Sequence, residues 1–129
     1  MKTTRKRLAL AGALVLGTAS VATSGTYSVG ASDTEIRIGH TTAYSGPVSA
    51  FGAGGRTLQA FFKMVNEAGG IRGRKVQIIS LDDGYSPPKA LEQTRKLVES
   101  DNVLAIFGVS GSPTNAATQK YLNGKGVPQ

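Results

Sequence analysis

The hydrophobic period of this chain switches between two and about 3.6 residues again and again, and a turn or cap residue marks each switch. Residues 35–41 alternate, with Ile36 and Ile38 on one face of a short strand. A loop rich in Gly and Ser, residues 42–55, follows. Leu58, Phe61, Phe62 and Val65 then recur at i, i+3, i+4 and i+7, the apolar stripe of a helix that stops at Gly69-Gly70. Residues 75–81 read as a second strand, closed by Asp82-Asp83-Gly84. Ser86 is expected to cap a second helix with Pro87 at its first position, where the missing N–H costs nothing. Leu91, Thr94 and Val98, flanked by Ala90 and Leu97, form its inner face. Residues 103–107 are an unbroken apolar run, the pattern of a parallel strand covered on both faces, so Phe107 joins Phe61 and Phe62 as expected core. Thr114, Ala117, Thr118, Tyr121 and Leu122 repeat the helical stripe up to Asn123-Gly124, and residues 127–129 open a fourth strand. This order predicts an α/β fold, a doubly wound parallel sheet. Residues 32–129 are expected to be the N-terminal part of such a domain, cut short within its fourth strand.

Residues 1–31 read as an address. Lys2, Arg5, Lys6 and Arg7 precede nine apolar residues, 8–16, the layout of a secretory signal peptide. Small residues suit cleavage after Ala31, with Ala22 the other site. A spanning helix needs about 20 apolar residues, and Thr18, Ser20, Thr23 and Ser24 break the run before that length. The mature protein is therefore expected to be exported, and periplasmic. Those four cations also account for much of the net charge of +7, since residues 1–31 hold no acid. Beyond Ala31, 11 cations face 8 acids, a balance that argues against a nucleic-acid partner. Without cysteine there is neither a disulfide framework nor a thiolate metal site, and His40 is the sole imidazole, so no metal or cofactor is expected.

In an open α/β sheet, ligands bind beyond the C-terminal strand ends, where crossovers diverge to opposite faces. Here that edge comprises the loops 42–55, 82–86 and 108–114. The third leads into a helix, so its N–H groups and the positive dipole end favour an anion, especially a carboxylate. Ser110, Ser112 and Thr114 add hydroxyl donors; Ser112 is equally suited to capping the helix that begins at Pro113. Tyr44, Phe51 and Tyr85 lie on the other two loops and suit a ligand wall. Gly52-Ala-Gly-Gly-Arg-Thr57 lacks the third glycine of a dinucleotide fingerprint, and no P-loop occurs. Gly108-Val-Ser-Gly-Ser112 sits where a hydrolase nucleophile elbow would lie, but Ser112 replaces its final glycine and no histidine follows. Asp82 and Asp83 point to opposite faces if extended, so a turn role for Asp83-Gly84 is favoured over a shared acid site. His40 is expected to be packed or hydrogen-bonded, with no catalytic role.

Ile36-Arg-Ile-Gly, Ser45-Gly-Pro47, Phe51-Gly52, Asn66-Glu-Ala-Gly-Gly-Ile-Arg-Gly-Arg-Lys75 and Leu81-Asp-Asp83 together resemble the start of type I periplasmic solute-binding proteins of the branched-chain amino acid uptake family. The resemblance covers residues 35–129 and implies part of the first of two lobes, with strand order 2-1-3. It also implies a non-enzymatic protein, monomeric when complete, that captures a small solute in an inter-lobe cleft and delivers it to the membrane subunits of an ABC permease. By position Ser112 corresponds to the serine that holds the solute carboxylate together with the backbone amides around it, Ser110 and Gly111 included. Phe51 and Tyr85, with Tyr44 and Ser45 on the same first loop, correspond to the solute pocket. Gly111 and Pro113 depart from the amino-acid type, and Tyr85-Ser-Pro-Pro-Lys89 and Lys120-Tyr-Leu-Asn123 are closer to relatives that import other solutes, aromatic acids and amides among them. A sensory ligand-binding domain and, more remotely, a secreted α/β hydrolase are the other readings.

Overall fold

The computed structural model describes residues 25–129, so most of the expected signal segment lies outside the described residues. Three parallel strands, β1 (Glu35–Thr42), β2 (Lys75–Asp82) and β3 (Ala105–Ile106), form a sheet of order β2-β1-β3. Helix α1 (Gly52–Glu67), after a 3₁₀ turn (Ser49–Phe51), links β1 to β2, α2 (Pro87–Glu99) links β2 to β3, and α3 (Ser112–Lys125) follows β3. Consecutive β1 residues face opposite sides. His40 meets α1 at Gly55, whereas Gly39 lies under Leu97 of α2, so the sheet is covered on both faces and is doubly wound as expected. The chain then returns beside β3, where the Ile106 amide donates to the Pro128 carbonyl (2.9 Å).

The core lies between the sheet and the α2–α3 pair. Leu97, Val103, Ile106 and Leu122 are buried there, and Ile79, Leu81, Val98, Val109, Tyr121 and Val127 pack against them. A Cβ at Gly39 would sit 2.7 Å from Ile106 Cδ1 and 3.1 Å from Leu97 Cδ1, so the lack of a side chain there is what lets α2 settle onto the sheet.

Several expectations are corrected. Helix α1 starts at Gly52, inside the stretch read as loop, and its buried residues are Gly52 and Gly55. Seating the helix on these two small residues turns the aromatic stripe sideways, so Phe61 is half exposed and stacks edge-on against Phe62 (5.3 Å). Phe107 is likewise 55% exposed, because only residues 105–106 form regular strand and the chain turns outward beyond them. Ser86 does occupy the cap position of α2, but its side chain makes no cap bond. Pro87 and Pro88 remove two of the N–H groups a cap would satisfy. Ser112 is already the first residue of α3, behind Gly111, so it caps nothing. That helix runs past Asn123-Gly124 and ends at Gly126, whose left-handed backbone (φ +67°) closes it.

Asp82, at the end of β2, ties this edge together. Its Oδ1 accepts from the amides of Tyr44 (2.8 Å), Ser45 (3.1 Å) and Gly84 (3.0 Å), and its Oδ2 from Ser45 Oγ (2.6 Å) and Lys89 Nζ (2.9 Å). These bonds, with Ser45 and Lys89 foremost, hold its carboxyl well below the ordinary carboxylate range despite partial burial. A pKa depressed in the folded state means stability that is present at neutral pH and lost as the pH falls below the free value of 3.8.

Two predictions follow from these contacts in the full-length protein. Leu97→Ala is expected to cost about 2–5 kcal/mol in denaturant titrations, and Phe61→Ser less than about 0.5 kcal/mol. Asp82→Asn is expected to lower the melting midpoint at pH 7 and to flatten the loss of stability below about pH 4, with equal acid profiles for both proteins counting against the assigned role.

Candidate functional site

The loops after all three strands converge at the C-terminal edge of the sheet. Phe51, closing the turn after β1, stacks at a tilt on Tyr85 from the loop after β2 (5.6 Å between ring centroids), and the Tyr85 ring lies on Gly111 from the loop after β3. Two backbone choices make this possible. Tyr85 is held at φ +62°, a left-handed conformation costly for a bulky residue, by the bond from its amide to Asp83 Oδ1 (2.8 Å). Gly111 has φ +102°, and a Cβ there would overlap the tyrosine ring. Asp83 thus serves the turn, as its position suggested, and is fully buried while Asp82 faces the other way.

The loop before α3 is polarised. The Gly111 carbonyl accepts from Asn115 N (3.1 Å), Asn115 Nδ2 (2.9 Å) and Thr114 Oγ1 (2.8 Å). The carbonyls of Ser110 and Val109 are taken by Thr114 Oγ1 (2.8 Å) and Asn115 Nδ2 (3.3 Å). With its carbonyls drawn toward the helix, the loop leaves the amides of Ser110, Gly111 and Ser112 without an acceptor among the described residues, and the two serine hydroxyls likewise have no partner among them. Such a group of N–H donors at a helix start suits an anion. Pro113 removes one donor from the set.

The remaining expected site residues are placed differently. Thr114 is fully buried and spends its hydroxyl hydrogen on the loop above it, so it supports the donors instead of joining them. Ser45 gives its hydroxyl hydrogen to Asp82. Tyr44 turns inward, its ring under Arg56 (6.0 Å) and its hydroxyl 2.6 Å from Ser80 Oγ. His40 is buried and hydrogen-bonded, with Nδ1 2.7 Å from Ser80 Oγ and Nε2 3.1 Å from the Gly108 carbonyl. Burial pushes its pKa down, against smaller upward effects from the Gly108 bond and the Asp83 charge. Neither nitrogen bonds Ser110, so this histidine does not serve that serine as a base. Asn115, Ser80 and Arg56 escaped the sequence reading. Of the three, Asn115 carried a legible signal, a polar residue in the first turn of a helix that follows a glycine loop.

The sequence model of a family described as "Periplasmic binding protein" matches residues 35–129. The Leu/Ile/Val-binding protein homolog 7 of Brucella suis is 28% identical over 95 residues, which are 73% of this chain and 24% of that protein. The chain thus spans about a quarter of the length of the curated relatives it matches. Among solved structures, the branched-chain amino acid transporter substrate binding protein LivJ from Streptococcus pneumoniae, in complex with isoleucine, superposes with a TM-score of 0.70 at 29% identity, covering 74% of this chain and 28% of that one. A fatty acid ABC transporter substrate-binding protein from Thermomonospora curvata gives 0.69 at 28% identity, over 81% and 27% of the two chains. A match that runs from β1 to the last residue means that this chain belongs to the periplasmic binding protein family, whose members bind and do not catalyse.

Proposed function

We propose that this chain supplies part of the first lobe of the solute-binding component of an ABC uptake system, exported to the periplasm, and that it captures a small carboxylate-bearing solute for delivery to membrane permease subunits. The observation that carries the reading is the loop 110–112, whose amides and serine hydroxyls have no acceptor among the described residues while the Ser110 and Gly111 carbonyls are bonded beneath. Three neighbouring N–H donors at a helix start match a carboxylate and disfavour a cation.

Phe51 and Tyr85 form the adjoining wall. Two stacked aromatic rings beside an anion cradle favour a solute with an apolar body next to its carboxylate, such as a branched-chain amino acid or an aromatic acid. Two relatives fit an apolar body beside a carboxylate, one described in complex with isoleucine and the other as a fatty acid ABC transporter substrate-binding protein. Binding in such a cleft works by favouring a closed state over an open one and requires no chemical step.

The test is calorimetry on the full-length protein with isoleucine, phenylalanine and benzoate, preceded by a thermal-shift screen in which binding raises the midpoint. Ser112→Ala is expected to weaken the best ligand about 10- to 100-fold, the effect of one charge-assisted hydrogen bond, and an unchanged titration would remove Ser112 from the site. Gly111→Ala is expected to weaken binding at least as much, because the added methyl displaces the Tyr85 ring. A variant that binds as tightly as the parent would show that the ring lies outside the solute's reach.

A further inference from the structure

His40 sits in a hydrogen-bond chain whose direction can be worked out atom by atom. The Gly108 carbonyl can only accept, so His40 Nε2 carries a hydrogen and donates it (3.1 Å). In a neutral ring Nδ1 is then an acceptor, and Ser80 Oγ donates to it (2.7 Å). Having given its one hydrogen away, Ser80 accepts from the Tyr44 hydroxyl (2.6 Å), and Tyr44 Oη accepts in turn from Gln59 Nε2 (3.0 Å). Gln59 Nε2 also donates its second hydrogen to the Gly55 carbonyl (3.3 Å), and the chain runs from α1 through the loop after β1, then β2 and β1, to the loop after β3.

The surroundings favour the neutral ring. Helix α1 presents Gly55, and Leu58 lies near Gly108, while β2 contributes the Ser80 hydroxyl. From the loop after β1 the facing group is Tyr44, whose ring Arg56 covers on its other side. Asp83, in the turn after β2, is the charge that acts on the imidazole. A second proton on the ring would make Nδ1 a donor and take from the Ser80 hydrogen the acceptor it has in the neutral state, so Ser80 Oγ would accept from both His40 and Tyr44 with its own hydrogen displaced. Protonation would therefore unsettle the middle of the chain.

We propose that His40, fixed as the neutral Nε2–H tautomer, is a positioning residue for the solute site: it holds the Gly108 carbonyl at the root of the anion-binding loop and, through Ser80, holds Tyr44 at the root of the loop after β1. The two loops that border the crevice are thereby kept at one spacing by a latch beneath them. The inference rests on the reading of residues 110–112 as the anion cradle, but the latch itself is a property of the fold.

His40 is the one histidine of this sequence, and in ¹⁵N-histidine spectra of the tag-free full-length protein its ring signals are identified as those lost in His40→Gln. At pH 7.5 the spectrum is expected to show a protonated Nε2 and a bare Nδ1, and the ring is expected to stay neutral to below pH 6.5. His40→Gln, whose amide N–H can replace that of Nε2 without titrating, is expected to keep isoleucine affinity within about threefold of the parent. His40→Ala and Ser80→Ala are expected to weaken it about five- to tenfold and to speed exchange of the Asn115 amide, which donates to Gly111. A ring protonated on Nδ1, an imidazolium at pH 7.5, or a His40→Ala protein with unchanged exchange at Asn115 would each overturn the latch. Should no solute bind while the tautomer and the exchange data come out as expected, the latch stands and the solute reading fails instead.

Discussion

The rim of this domain depends on the carboxylate of Asp82. Parallel strands deliver all their exits to one edge, where the ladder ends and few backbone bonds, such as that from the Asp83 amide to the Thr42 carbonyl (3.0 Å), still join the loops. Asp82 takes five donors from the loop after β1, the loop after β2 and helix α2, and so converts two separate loops into one piece. Its Lys89 partner is partly exposed, with both side chains between 30% and 41% accessible, so solvent screens that ion pair and the amide bonds carry most of the organising effect. The third loop is joined from below by His40, whose two ring nitrogens reach β2 and the Gly108 carbonyl.

The same economy explains why the edge can hold a guest. Polar groups in the loops are either used by the scaffold or left open, and in the loop after β3 carbonyls and amides fall on opposite sides of that division. Carbonyls of residues 109–111 are drawn down by Thr114 and Asn115, while the neighbouring amides stay free. Ser45 and Tyr44 look like ligand donors by composition, yet they are used to position the rim. What remains open is a set of N–H and hydroxyl donors beside two aromatic rings, the arrangement on which the proposed solute site rests.

Much of the fold was legible because period switching reports burial directly: the order of strands and helices, the coverage of the sheet on both faces and the inner residues of α2 and α3 all follow from it. Period does not report how far a helix is rotated about its axis or how closely it approaches. Gly52 and Gly55 decide that for α1, and a stripe calculation that counts only large side chains placed Phe61 inside. Phe107 failed for a related reason, since an apolar run shows that a strand is near and not where it ends. At the site, loop position and residue type identified Phe51, Tyr85 and residues 110–112 as neighbours. The destination of each hydroxyl hydrogen was beyond reach, because Ser45 meets Asp82 across 37 positions and Tyr44 meets Ser80 across 36. Non-local polar contacts of this kind leave no periodic trace.

Gly111 supports the ring that walls the crevice, and it does so by having nothing to offer but room. A lineage that exchanged this residue would move the Tyr85 ring at the mouth of the crevice while the strands and the cluster of Leu97, Ile106 and Leu122 lie apart from it, its ties to the body being the bonds from Thr114 and Asn115 to its carbonyl. Diversification of cargo among proteins built on this scaffold could therefore proceed through single exchanges at the brim, with the folding of the body left untouched.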